Sequence, residues 1–269
     1  MTAFLARLER FDIVGSTNDV IRDWLAEGTA EVCLAIADEQ RAGRGRGGRA
    51  WVAPPTAALL LSLGFRPSWL EPDRAWRLAA TASLAMVDAA EAIAGLSHGA
   101  IRLKWPNDLV VERPAGTARK IAGVLGETQG LGTADPRVVV GLGINVDWSA
   151  AAFPPELATS MTSLREAAGG RSVDRSLLLA AFLERLETRI GQLREDDFDA
   201  GAWSDRQLTT GRTVRLEHAD RAETVKAVGV DVASGALVVE SPDSPGGRRL
   251  VLVGEITHVR LADRAAAAV

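Results

Sequence analysis

The sequence predicts an α+β fold in two parts: a domain of mixed helices and strands over residues 1–208, and a small β-barrel over 209–263. A short tail at 264–269 follows. Three observations carry this. Some segments repeat apolar residues at helical spacing and others alternate them as strands do. The two kinds interleave as far as Leu208. Beyond Gly211 only short β-rich runs remain, divided by Ser-Gly and Ser-Pro-Gly-Gly turns.

Taken in order, Ser16 and Thr17 offer an N-cap to a helix in which Val20, Ile21, Trp24 and Leu25 recur until Gly28. Strands are expected at 32–37 and 57–65, the second with Leu59, Leu61, Leu63 and Phe65 alternating. Pro72 opens an alanine-rich helix to about Ile93. IRLKW at 101–105 alternates as a strand and halts at Pro106, and further strands are expected at 119–127 and 137–147. Asp174 can cap a long helix carrying Leu178, Phe182, Leu186, Ile190 and Leu193 on its apolar positions. A shorter helical stretch ends near Leu208. TVRLEH, ETVKAVGVDV, ALVVE and RRLVLVGEITHVRL then supply the strands of the barrel.

Composition narrows the class. Of 269 residues, 47% are hydrophobic and 25% charged, which is ordinary for a soluble globular protein. No apolar run reaches the roughly 18 residues of a membrane span, and the first residues lack a secretory pattern. Cys33 is alone, so no internal disulfide can form, and it sits in an apolar run that reads as a buried strand. The expectation is a cytoplasmic protein without a membrane partner. A net charge of −4 argues against general nucleic-acid affinity.

The distribution of charge is more informative than its sum. From Gln40 to Leu70 there is no Asp or Glu, while Arg41, Arg44, Arg46, Arg49 and Arg66 all fall there. Within ADEQRAGRGRGGRAW (37–51), glycines allow close backbone approach and arginines supply forked donors that match carboxylate and phosphate. An anion-binding loop, a solvated surface loop and an RGG-like RNA segment are the three readings of this stretch. Its brevity, internal position and lack of repetition count against RNA.

GRGRGGRAW resembles the biotin-binding signature of biotin protein ligases. GSTN at 15–18, KWPND at 104–108, RKIAGVLGE at 119–127 and GLGIN at 141–145 resemble other motifs of that family, in the family's order. The resemblance implies a catalytic domain like that of class II aminoacyl-tRNA synthetases, with a mixed, largely antiparallel sheet, followed by an SH3-like C-terminal barrel. It implies that biotin is activated with ATP and Mg²⁺ and passed to a lysine of a biotin carboxyl carrier domain of an acyl-CoA carboxylase.

The resemblance also assigns residues. Ser16, Thr17, Asn18 and Gln40 match positions that bind biotin. Their ordinary alternatives are helix capping and, for Gln40, a surface amide. Gly43, Arg44, Gly45, Arg46, Lys120 and Gly123 match positions that bind biotin or its adenylate. Arg46 and Lys120 are the catalytic candidates, because two anions must meet and positive charge offsets their repulsion. Trp51, Lys104, Asn107, Asp108, Gly143 and Asn145 are supporting candidates, with Asp108 the candidate Mg²⁺ ligand. An Asx turn is the ordinary alternative for Asn107 and Asp108. Trp148, Phe153 and Met161 are candidates to cover adenine, with plain packing the alternative. His98, His218 and His258 share no ligand spacing.

GLGIN lacks the third glycine of a dinucleotide fingerprint, which excludes a Rossmann reading. A lipoate protein ligase would lack GRGRGGRAW. A biotin-responsive transcription regulator needs room for an N-terminal DNA-binding domain, and GSTN already begins at residue 15, so the type without that domain is expected. A catalytically dead biotin-binding module is disfavoured by the joint presence of Arg44, Arg46 and Lys120. A PAGTA segment at 114–118 lengthens the turn before Lys120 relative to the family pattern.

Overall fold

The computed structural model describes residues 4–113, 117–256 and 258–261. Parts of the PAGTA segment and the expected tail at 264–269 lie outside these residues.

A seven-stranded sheet organises the first part of the chain. Its strands are β1 (Arg7–Val14), β2 (Cys33–Gln40), β3 (Ala58–Phe65), β4 (Ile101–Lys104), β5 (Asp108–Glu112), β6 (Ala118–Gln129) and β7 (Arg137–Asn145). They lie in the order β1-β2-β3-β7-β6-β5-β4. β1 pairs with β2 in parallel and every other pair is antiparallel, so the sheet is mixed, as expected.

β3 explains its own composition. All eight residues of ALLLSLGF are buried, because β2 and β7 flank the strand and helices cover both faces. Leu59, Leu61, Leu63 and Phe65 join the main core beneath α2 (Trp76–Ala94) and α5 (Arg175–Arg194). On the other face, α1 (Thr17–Ala26) packs Ile21 and Leu25 against Cys33, Ala35 and Val139. Gly64 is required there: a Cβ would lie 2.5 Å from Cys33 Sγ and 2.7 Å from Ile21.

The helices follow their signals with small shifts. Asp174 caps α5 as expected, accepting from the backbone amides of Ser176 and Leu177 at 2.6 and 3.1 Å. Pro72 opens a single 3₁₀ turn (Pro72–Arg74), and α2 begins only at Trp76. Short helices α3 (Pro155–Ala158), α4 (Leu164–Ala167) and α6 (Ala200–Asp205) complete this part. β1 and β5 were not anticipated as strands.

The last described residues form a five-stranded antiparallel sheet. Its strands are β8 (Thr213–Glu217), β9 (Ala222–Val230), β10 (Leu237–Glu240), β11 (Arg248–Val251) and β12 (His258–Leu261), in the order β11-β10-β9-β8-β12. The β-rich run at 248–261 divides into β11 and β12. Its apolar core contains one foreign residue. Trp105, of the KWPND turn in the first sheet, packs with Val214, Leu216, Leu237, Val239, Val251 and Ile256. Trp105 Nε1 donates to the Gly235 carbonyl at 2.9 Å, and its backbone amide donates to Thr209 Oγ1 at 3.0 Å.

Candidate active site

A cavity of about 810 Å³ opens where α1, the arginine–glycine loop, the KWPND turn and β6 converge over β7. Two glycines of GLGIN form its floor. A Cβ at Gly141 would fall within 3 Å of the Asn18 amide, and one at Gly143 would lie 2.6 Å from the Trp51 ring. Side chains at either position would displace these groups, so the glycines exist for space. Gly123 faces Gly143 across the strand pair and leaves room for Lys120 and Trp51 in the same way.

One wall is neutral and hydrogen bonding. Ser16, Thr17 and Asn18 are all buried at the start of α1. Ser16 occupies the N-cap, yet no side chain caps this helix, so the capping alternative fails. Thr17 instead turns to Gln40 at the end of β2. Its backbone amide and its hydroxyl donate to Gln40 Oε1 at 2.7 and 3.0 Å. Gln40 is therefore no surface amide. The sequence reading missed Ser62, a fully buried serine of β3. Its Oγ lies 2.7 Å from Thr17 Oγ1 and 2.6 Å from the Asn18 amide oxygen. A lone hydroxyl in a strand otherwise apolar or glycine was the available signal.

The other wall is charged. Lys120 Nζ lies 2.6 Å from one oxygen of Asp108, and Lys104 Nζ lies 3.5 Å from the other. Burial alone would raise the Asp108 pKa, but Lys120 and Lys104 together hold it below the usual carboxylate range. Burial lowers the Lys104 pKa, with Lys120 adding to the effect and Asp108 opposing it. Lys120 also stands over the Trp51 ring, 5.4 Å from its centroid. Asn107 fixes the turn, its Nδ2 donating to the Val124 carbonyl at 2.9 Å.

Asp108, the candidate Mg²⁺ ligand, is a counter-ion to two lysines here, with one oxygen beside Lys120 and the other facing Lys104. Elsewhere among the described residues, Asp88, Glu91 and His98 cluster with metal-like spacing. The Arg206 guanidinium fills that cluster, bonding to all three.

The arginine–glycine loop folds back on itself through a bridge between Arg44 and Ala50. Gly43 lies outside the cavity lining and serves the fold of the loop. Its carbonyl accepts from the Trp51 amide at 2.9 Å, and a Cβ would strike the Trp51 carbonyl at 2.6 Å. Gly45, which lines the cavity, donates its amide to the Arg49 carbonyl at 2.7 Å. Arg44 is held by Asp19 through two bonds of 2.7 and 2.8 Å and by Glu127 at 3.4 Å. Arg46 reaches the C-terminal sheet, where Nη2 donates to the Val253 and Ile256 carbonyls, both at 2.9 Å.

Of the adenine candidates, only Met161 lines the cavity, beside Pro154 and Leu157. Trp148 and Phe153 are buried and stacked on each other at 4.1 Å, so packing explains them. Asn145 is also outside the lining. It acts from beneath, its Nδ2 donating to the Thr162 carbonyl at 2.9 Å. That bond supports the segment whose backbone pairs with Lys120, through Lys120 N to Ser160 O and Thr162 N to Lys120 O, both 2.8 Å.

A neutral hydrogen-bonding wall, a cationic wall and a basic loop around one cavity define a ligase-type site, suited to joining a carboxylate to a phosphate. The comparisons agree with this class. The model of the biotin/lipoate A/B protein ligase family matches residues 11–145, and the chain belongs to that family. It is 33% identical to a biotin–[acetyl-CoA-carboxylase] ligase of Mycobacterium tuberculosis, over 93% of this chain and 90% of that one. It is 30% identical to the bifunctional ligase/repressor BirA of Bacillus subtilis, over 86% of this chain and 68% of the relative. Its structure resembles the biotin protein ligase from Aquifex aeolicus in complex with biotin and ATP, with a TM-score of 0.74 and 27% identity. That likeness covers 97% of this chain and all of the other.

Proposed function

We propose that this chain is a biotin protein ligase, which joins biotin to AMP at the expense of ATP and then transfers the biotinyl group to a carrier lysine. The observation that carries the reading is the pairing of two walls in one cavity: Thr17, Gln40 and Asn18 on one side, backed by the buried Ser62, and Lys104, Asp108 and Lys120 on the other. Biotin has complementary parts, an uncharged ureido ring and a carboxylate joined by apolar atoms.

In the first step a carboxylate oxygen attacks the α-phosphorus of ATP, and the bond to pyrophosphate breaks. Lys120 and Lys104 supply positive charge where two anions meet, and the loop carrying Arg44 and Arg46 shields the product. In the second step the amine of the acceptor lysine attacks the acyl carbon, AMP leaves, and the amine gives up a proton. The acceptor is a biotin carboxyl carrier domain of an acyl-CoA carboxylase. Magnesium would be carried by the nucleotide's phosphates, with Asp108, now paired with Lys104 and Lys120, the residue that would meet it. We further read residues 1–208 as a catalytic domain of the class II aminoacyl-tRNA synthetase type and 209–263 as an SH3-like domain. The mixed sheet and the separate antiparallel sheet support this division.

The test is incubation with biotin, ATP, Mg²⁺ and a carrier domain, followed by intact mass. One biotin on one lysine is expected, with AMP and pyrophosphate released. Transfer of lipoate or octanoate alone would overturn the substrate assignment.

A further inference from the structure

From Arg44 to Ala50 the arginine–glycine loop contains no buried residue. Gly47 and Gly48 sit at φ of 64° and 73°, in the left-handed region. Such a segment loses much backbone entropy on ordering and gains no apolar burial in return, so polar ties must hold it. Arg46 ties it to the C-terminal sheet, and Arg44 ties it to the elements that build the cavity.

The Arg44 tie is a fork on two carboxylates. Nη1 and Nη2 each donate to one oxygen of Asp19, at 2.7 and 2.8 Å, and Nη2 also reaches Glu127 at 3.4 Å. Planar two-point contact of this kind fixes direction as well as distance. Asp19 lies in the first turn of α1, next to the buried Asn18 and two positions before the fully buried Ile21. That turn packs closely on the cavity floor, where a Cβ at Gly141 would lie 2.1 Å from Asn18 Oδ1. Glu127 belongs to β6, the strand that also carries Lys120. Both anchors sit on well-packed elements, and the loop is the part that needs anchoring.

Charge decides what Arg44 can do. Lys104, Asp108 and Lys120 set two cations about one carboxylate and keep a positive surplus. Around Arg44 the ratio is reversed: one guanidinium faces two carboxylates, with Arg22 sharing Asp19. A substrate carboxylate or phosphate brought to this guanidinium would meet Asp19 and Glu127 beside it, and their repulsion offsets the attraction.

We propose that the Arg44 side chain is a strut and not an anion ligand: through Asp19 and Glu127 it pins the arginine–glycine loop to α1 and β6, and Asp19 is a positioning residue for the reaction. This role rests on the reading of the cavity as a biotin-activating site. It leaves the substrate anions to the cations of the other wall, and it makes an acidic residue of α1 responsible for where a basic loop stands.

The experiment compares the full chain with Asp19→Asn, Arg44→Lys and the double variant in two assays. In limited trypsin digestion without ligands, cleavage after Arg46 and Arg49 should be up to about fivefold faster in each variant than in wild type. Because the pair is partly exposed, that difference should shrink in about 1 M salt. In biotinyl-AMP formation, followed by pyrophosphate release, Asp19→Asn should raise KM for biotin and for ATP by about the same factor, with kcat nearly unchanged. Arg44→Lys keeps the charge but loses the fork. It should therefore behave as Asp19→Asn does, and the double variant should be no worse than either.

An anion-binding Arg44 gives the opposite sign, because Asp19→Asn would free its charge and lower KM for ATP. That result would overturn the proposal, as would wild-type cleavage and KM in Asp19→Asn, or additive effects in the double variant. Where one single variant loses its thermal transition, the other decides. Wild type that forms no biotinyl-AMP would overturn the functional reading, while the cleavage rates still decide the strut.

Discussion

Asp108 is shared by two lysines: Lys120 reaches one of its oxygens at 2.6 Å and Lys104 the other at 3.5 Å. A single carboxylate thereby holds two ammonium groups together on one wall of a cavity. Positive charge is thus in place before a substrate arrives, which spares reorganisation during the reaction.

Removing the nearer cation should slow the chemistry more than binding. Lys120→Ala is expected to depress biotinyl-AMP formation by about 10²-fold or more, measured in single turnover by pyrophosphate release. Unchanged adenylation would take Lys120 off the list of catalytic residues.

Asp108 sets a pH dependence of definite sign. Its pKa in the folded chain lies below the ordinary 3.8, so its contribution to stability is present above that value and lost as pH falls through the lower one. Asp108→Asn should flatten that acid loss in thermal melts. It should also remove the charge that opposes burial at Lys104, whose pKa then falls further. The variant's adenylation should accordingly decline with rising pH earlier than that of wild type. Coincident kcat/KM profiles between about pH 6 and 9 would contradict this coupling.

Arg46 ties the loop to the carbonyls of Val253 and Ile256. Loss of that tie in Arg46→Gly should release the adenylate about tenfold to a hundredfold faster. The released intermediate would acylate lysines of an unrelated protein such as albumin, read by biotin content. Should adenylation vanish with no bystander labelling, the residue acts on the reaction and not on retention.

Cys33 should be inert in the folded chain. Burial raises its pKa from 9.0 to about 11, against the opposing influence of Arg7 and Arg66. Stability linked to the neutral thiol is therefore complete below 9.0 and lost as pH rises through about 11. Two units correspond to about a hundredfold less thiolate, and packing against Gly64 and Ile21 restricts access further. Alkylation at about pH 8 should run at least that much slower than in denaturant. Equal rates would mean that the β2–α1 contact opens readily.

The legible parts of the sequence were those with strong local periodicity. α5 announced its cap and apolar stripe, and the resemblance carried by the five motifs named Thr17, Gln40, Lys120, Gly123 and Gly143, all of which line one cavity. β1 escaped because it is an edge strand, and RLERFDIV shows no clean alternation. Arg44 looked free for a ligand because its partners, Asp19 and Glu127, are 25 and 83 residues distant in the chain. Ser62 was hidden for the opposite reason: in an apolar run a small hydroxyl reads as filler until the residues facing it are known. Trp148 and Phe153 show that aromatic residues near a site are as readily each other's partners as a substrate's.

Trp105 has a consequence for how such a chain can be recombined. Its backbone belongs to the turn that presents Lys104 and Asp108, while its ring fills the core of the second sheet. A gene cut after Leu208 would yield a fragment with a bare indole beside its two lysines, and a second fragment with a hole the size of that ring. Neither inherits a complete interior, and truncating such a side chain costs on the order of 3–5 kcal/mol. Grafting the C-terminal strands of another family member onto this chain would succeed only if the graft brought a socket for Trp105 and a carbonyl where Gly235 now accepts its N–H. The two sheets are therefore a single unit of inheritance, with one tryptophan shared between their interiors.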